Sequence, residues 1–382
     1  MEKIQLFVPT YHIQECLDEI KECLEIGWTG LGFKTIRFEE EWVKYTGLPH
    51  AHFLNSNTAG LHLAIKLFKE ERNWKAGDEI ITTPISFVSS NHVILYESLS
   101  PVFADIDDTL CLDPVSIEKN ITEKTRAVLY VGMGGNPGRL EQVMEICKNH
   151  GLILILDAAH MAGSKINGQH VGQGIDCVVF SFQAVKNLPT ADAGMICFDR
   201  SDMDKSVRKW SWMGIDKDTF ARMSNVGGTY SWYYDVPHLG FKYHGNSIMA
   251  SIGLVQLKYL EAGNERRRQV CALYEERLSS EKRIQFIEQS GNIISSRHLF
   301  QIRVPQTERD KLMAYLNSKN IFPGVHYRIN TDYKMYGYGQ NTCIKAEQAS
   351  LELISLPLHL RLTDEQVNYV SDQILEYFRK LS

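Results

Sequence analysis

Four short segments carry side chains whose types and order could do chemistry. The first is Asn55-Ser56-Asn57-Thr58-Ala59-Gly60, which runs straight into the helical stretch Leu61-His62-Leu63-Ala64-Ile65. Small and hydroxyl residues at a helix start leave backbone N–H groups free for an anion, and the helix dipole adds to the attraction. The second is Pro84-Ile85-Ser86-Phe87-Val88, just beyond an apolar run. An aromatic there can stack on a flat ring. The third is Asp157, at the end of Leu152-Ile153-Leu154-Ile155-Leu156, with His160 close behind. A carboxylate in that place can keep a pyridine nitrogen protonated and so make the ring an electron sink. The fourth is Lys186, five residues after Ser181 closes another strand-like run. A lysine in an apolar neighbourhood can have a lowered pKa and form a Schiff base. Alone, each has a plainer reading: an N-cap turn, a core phenylalanine, an N-cap aspartate, a solvated surface charge. In this order they describe a site for pyridoxal 5'-phosphate (PLP): phosphate loop, ring stacker, pyridinium carboxylate, Schiff-base lysine.

The elements that must hold these groups follow from periodicity. Residues 11–26 place Ile13, Leu17, Ile20 and Leu24 at helical spacing, and a second helix carries Phe38, Trp42 and Tyr45 after the glycines at 27, 30 and 32. Short apolar runs then alternate with helical stretches: 79–81, 102–104, 127–131, 152–156 and 178–180. That alternation predicts a mostly parallel sheet covered by helices. From about residue 247 a long amphipathic helix leads to a strand-like run over 298–304 and two further helices. The expected α/β organisation is a large PLP-binding domain over 1–246 and a smaller α+β C-terminal domain over 247–382.

Composition limits the functional classes. The 382 residues carry a formal net charge of −5, which gives no general affinity for nucleic acid or an anionic membrane. The one dense basic cluster, Arg266-Arg267-Arg268, lies in a helical pattern and reads as a solvated face. The eight cysteines include no Cys-x-x-Cys pair, as expected of free buried thiols in a reducing compartment. No stretch is apolar enough for a signal peptide or a membrane span, so a cytoplasmic protein is expected, and no metal site.

Along nearly its whole length the chain resembles the DegT/DnrJ/StrS family of sugar-nucleotide aminotransferases, a branch of the fold-type-I, aspartate aminotransferase-like PLP enzymes. Gly27-Trp28-Thr29-Gly30, Gly77-Asp78-Glu79-Ile80-Ile81, and Pro101-Val102-Phe103-Ala104-Asp105-Ile106-Asp107 carry the likeness. Asp157-Ala158-Ala159-His160, Phe180-Ser181-Phe182, Lys186-Asn187, Gly240-Phe241-Lys242-Tyr243 with Asn246, and Gly324-Val325-His326-Tyr327 continue it. The resemblance implies a seven-stranded-type sheet in the large domain. It implies Lys186 as the Schiff-base lysine, Asp157 as pyridinium partner, Phe87 stacked on the ring and His160 near the ring hydroxyl. Thr58, the backbone around Asn57, and Ser181 would hold the phosphate. Asn246 would reach the phosphate of a neighbouring subunit, which implies a homodimer with shared sites. Thr29, His326 and Tyr327 would meet substrate. The implied reaction uses L-glutamate as amino donor to a nucleotide-linked keto sugar, in pathways such as those of O-antigen (lipopolysaccharide), capsule or antibiotic sugars.

The chain departs from the family at three places. Ala191-Asp192-Ala193-Gly194 replaces a Gly-Glu-Gly-Gly-like run. Gly132-Met133-Gly134-Gly135-Asn136-Pro137 stands where many relatives have a histidine and a tyrosine, and Arg328-Ile329-Asn330-Thr331 follows His326-Tyr327 in place of Pro-x-x-His. These regions touch or flank substrate. Lys186 argues against the related sugar dehydratases, which carry a histidine at that position. A keto-cyclitol or non-nucleotide sugar as acceptor, and a regulatory protein that binds PLP without turnover, are the alternatives.

Overall fold

A computed structural model describes residues 2–216, 234–289 and 291–381. The apolar runs become five strands of a seven-stranded sheet, ordered His50–Leu54, Gly194–Phe198, Cys177–Ser181, Ile153–Asp157, Thr125–Val131, Glu79–Thr82, Ser100–Phe103. Every neighbouring pair is parallel except the two made by Gly194–Phe198, which runs against both its partners. The strand Ile153–Asp157 is buried at all five positions. That explains its unbroken run of aliphatic residues: a parallel strand covered on both faces has no solvent side to make polar.

Alternate residues feed opposite faces, as the pleat requires. Val128, Tyr130, Leu154, Leu156 and Phe180 pack with Phe38 and Trp42 of the helix Phe33–Thr46. Ala127, Leu129, Ile153, Ile155 and Val179 pack with Leu61, Leu63 and Ile65 of the helix Asn57–Arg72. A third core joins the antiparallel strands Gln285–Phe286, Phe300–Arg303 and Leu353–Leu356 to the helices Gln306–Ser318 and Asp364–Arg379. The helix Ser247–Leu278 spans both regions. Ala250, Leu254 and Leu260 join the first core, and Val270, Tyr274 and Leu278 join the third.

One sequence expectation is corrected here. The run Arg266-Arg267-Arg268 is not a uniformly solvated face: Arg266 pairs with Asp364 and Arg268 with Glu261 and Glu265, but Arg267 is buried. Successive helical residues are turned by roughly 100° from one another, so three in a row cannot all face water on a helix packed on one side.

Candidate active site

The carboxyl ends of the parallel strands carry the chemistry, as in other open α/β sheets. Asp157 is the last residue of its strand and is buried. Its Oδ2 accepts from Ser90 Oγ at 2.8 Å, and its Oδ1 accepts from the Ala159 amide at 3.1 Å and from Asn57 Nδ2 at 3.3 Å. The supports are themselves held. Ser86 and Ser90 hydroxyls lie 2.7 Å apart, and because Ser90 spends its proton on Asp157, Ser86 is the donor between them. Asn57 Nδ2 also donates to the Val179 carbonyl at 3.1 Å. Burial nevertheless raises the Asp157 pKa, with the Ser90 hydrogen bond the foremost opposing influence. All three hydrogen-bond donors are neutral, so the carboxylate still lacks a bonded cation.

Lys186 sits in the turn after the strand Cys177–Ser181. Its amide donates to the Gln183 carbonyl at 2.8 Å, and Gln183 Oε1 accepts from the Val185 amide at 3.1 Å. The next residue anchors that turn: Asn187 Nδ2 donates to Asn264 Oδ1 at 2.7 Å and to the Ser296 carbonyl at 2.8 Å, while its Oδ1 lies 2.9 Å from His298 Nδ1. Enclosure by protein pushes the Lys186 amine down to about 8, with Asp157 pulling the other way. A positioned amine that titrates near neutrality can act as nucleophile, acid and base.

A layer of rings lines the other side. His160 Nδ1 accepts from the Gly134 amide at 3.2 Å, which leaves the proton on Nε2, 3.2 Å from Tyr327 Oη. The imidazole therefore donates to the tyrosine oxygen, and the Tyr327 hydroxyl proton is left to point elsewhere. His298 lies against His160 with ring centroids 4.4 Å apart. Burial holds His160 and His298 well below the usual histidine range and lowers His326 to about 4. All three are neutral at pH 7, which relieves the charge around Lys186. Phe87 is 59% exposed, with its ring 6.2 Å from that of Tyr327.

The helix Asn57–Arg72 begins at the rim. Ser56 caps it: Ser56 Oγ accepts from the Ala59 amide at 3.1 Å and its carbonyl from the Gly60 amide at 3.3 Å. The amides of Asn57 and Thr58, among the four at a helix start that lack an intrahelical partner, remain for an anion. Gly194 lets the neighbouring strand come this close; a Cβ there would lie 2.6 Å from the Ser56 carbonyl oxygen.

These groups enclose a cavity of about 430 Å³, within the range of small-molecule sites. Of the residues expected from sequence, Asn57, Thr58, Phe87, Asp157, His160, Ser181, Lys186, His326 and Tyr327 line it. Thr29 and Asn246 do not. Asn246 caps the long helix through the Met249 amide at 3.0 Å, and the Ser247 amide donates to the Thr29 carbonyl at 3.0 Å, so the two residues sit together away from this cavity. Ser86, Ser90 and Gln183 belong to the site or its support and were given no role from sequence, while Asp192, from the departing run Ala191-Asp192-Ala193-Gly194, lines the cavity. The hydroxyl-rich stretch around Phe87 was the available signal.

The donor set fits PLP part by part. A buried carboxylate short of a cation suits a protonated pyridine nitrogen. An amine held near neutrality suits an aldehyde, and two spare amides at a helix start suit a phosphate.

Comparison with known proteins points the same way. Residues 11–375 match the DegT/DnrJ/EryC1/StrS aminotransferase family. The spore coat polysaccharide biosynthesis protein SpsC of Bacillus subtilis is 32% identical, over 94% of each chain. The solved structure of PseC from Helicobacter pylori, an aminotransferase involved in pseudoaminic acid biosynthesis, superposes with a TM-score of 0.90 at 27% identity, covering 99% of this chain and all of that one. The PLP-form of the putative sugar aminotransferase Spr1654 from Streptococcus pneumoniae gives a TM-score of 0.90 at 28% identity over the whole of both chains. The same protein is also known in a PMP-form.

Proposed function

As a member of the DegT/DnrJ/EryC1/StrS family this chain is a PLP-dependent aminotransferase, and we propose that it moves an amino group from L-glutamate to a keto sugar carried by a nucleotide. The observation that carries the reading is the convergence of the Lys186 amine and the bond-supported Asp157 carboxylate on one cavity large enough for cofactor and sugar together. The relatives' roles in polysaccharide and pseudoaminic acid biosynthesis support a sugar as acceptor.

When bound, PLP supplies a ring that takes up the electrons released as the donor loses its α-proton. Asp157 holds a proton on the ring nitrogen. Lys186 would anchor the cofactor, then accept the donor's α-proton on Nζ and return it to the cofactor carbon. The Asn57 and Thr58 amides and the Ser181 hydroxyl bind the phosphate, and His160 lies near the ring hydroxyl. Phe87 covers the ring, and His326 and Tyr327 face the sugar.

The working unit is a homodimer. The helix Ile13–Ile26 buries Cys16 and Cys23 and leaves Ile13, Leu17 and Leu24 exposed, an apolar stripe suited to a second copy. Thr29 and Asn246 lie outside their own cavity, which suits contribution to the partner's site. All eight cysteines are free and buried, in keeping with a cytoplasmic enzyme.

The test is the visible spectrum of the PLP-loaded protein before and after L-glutamate, for wild type and Lys186→Ala. The wild type is expected to show a band that glutamate bleaches and that a nucleotide-linked keto sugar restores. Absence of any such band overturns the role of Lys186. Restoration only by a keto-cyclitol, or by no acceptor, replaces the nucleotide-sugar reading.

A further inference from the structure

The inward-turned arginine opens on a second, smaller cavity. Arg267 is 7% exposed and makes one hydrogen bond, from Nη1 to the Leu358 carbonyl at 3.2 Å. Its neighbours in sequence are matched with carboxylates, Arg266 with Asp364 and Arg268 with Glu261. Arg267 has no acidic partner among the described residues; burial pushes its pKa down to about 10, and the Cys271 thiol is the one group opposing that. It stays charged at neutral pH. A guanidinium has five N–H donors, and a buried charge without a counter-ion is costly.

His359 lines the same cavity, is 6% exposed, and has both ring nitrogens buried with no hydrogen-bond partner. The Gln5 carbonyl gives the ring some electrostatic support, while burial and Arg267 keep it neutral. Two buried polar groups with unused hydrogen-bonding capacity thus converge on one small pocket. That space is about 40 Å³. It admits a few waters, a halide or a single carboxylate head, and is too small for an amino acid or a sugar. Val185 and Lys186 line both this cavity and the large one, so the turn that bears Lys186 is the wall between them.

We propose that the pocket framed by Arg267 and His359 binds a small monovalent anion, a halide or a carboxylate, directly behind the turn of Lys186. The anion supplies the counter-charge that Arg267 lacks and an acceptor for the His359 N–H. It also adds a negative charge near Lys186, where Asp157 is the acidic group already acting and His160, His298 and His326 are held neutral. Occupancy therefore favours the protonated form of Lys186, a consequence that rests on the role given to Lys186 above; the binding itself does not.

Crystals of the full-length PLP-loaded protein grown in bromide test the binding directly. An anomalous peak between Arg267 and His359 is the expected result, and its absence while bromide is found elsewhere overturns a halide site. In solution, chloride or acetate is exchanged for gluconate at constant ionic strength and the unfolding midpoint is followed. A saturable rise of about 2 °C is expected, by mass action on the folded state. A rise with chloride assigns a halide, and a rise with acetate alone assigns a carboxylate. No rise with either, together with no bromide peak, overturns the proposal. The increment is expected to vanish in Arg267→Met. Should that variant not fold, His359→Phe, which fills the pocket without charge, is expected to remove the same increment, and an unchanged increment there overturns the site.

Discussion

The two sides of the large cavity are built differently. On the sheet side, Asp157 is buried and bonded by Ser90, Asn57 and the Ala159 amide, and Ser90 and Asn57 are each held by a further partner. On the open side, Phe87 is largely exposed, Tyr327 bonds His160 through its hydroxyl, and His326 Nδ1 is 2.9 Å from Ser355 Oγ. The first side is complete within one chain and can orient a rigid ring without further ordering. The second is sparse and leaves room for substrate.

Substitutions should follow that contrast. Lys186→Ala, on the complete side, is expected to lower turnover by about a thousandfold, measured as single-turnover transfer from glutamate; a loss under tenfold would place the proton-transferring group elsewhere. Ser90→Ala leaves Asp157 Oδ2 without its donor. A loss of roughly 1–3 kcal/mol is expected, read as about five- to 150-fold weakening of PLP retention in dialysis.

Gly194→Ala would bring a Cβ to 2.6 Å from the Ser56 carbonyl oxygen and displace the start of the phosphate-facing helix. It should destabilise the fold by about 1–3 kcal/mol in urea unfolding. The rate at which apo-protein takes up PLP should rise with pH, because the free amine is the reactive form. With Lys186 lowered to about 8, the rise from pH 7 to pH 9 should be roughly tenfold; a rate still climbing steeply past pH 10 would mean that the amine is solvated. On the open side, Phe87→Ala should change stability by less than about 0.5 kcal/mol. Its effect should fall on PLP retention, and a large stability loss would erase the distinction between the two sides.

The parts legible in sequence are those whose neighbours lie nearby in the chain. The aliphatic run before Asp157 announced a doubly covered strand, and the strand end placed the carboxylate. The helix start at Asn57 was readable because capping is local. Ser90 was not, because its importance lies in meeting Asp157, 67 positions away. The edge strand His50–Leu54 was hidden for a similar reason. His52 is buried there because Glu39 and Ser211 bond its two ring nitrogens, at 2.9 and 2.8 Å, and Arg208 bonds Glu39 in turn at 2.8 Å. A polar pattern that looks solvated is satisfied internally by residues from two other elements.

The sequence alone determined the kind of sheet, the order of the four chemical segments and the family, because hydrophobic period and local capping depend on residues a few positions apart. The tertiary structure decided which groups act together. It brought nine of the expected residues around one cavity and set Thr29 and Asn246 side by side outside it. It also turned Arg267 inward from a run that reads as surface. Burial, hydrogen-bond completion and charge pairing are properties of the packed chain, and no local pattern specifies them.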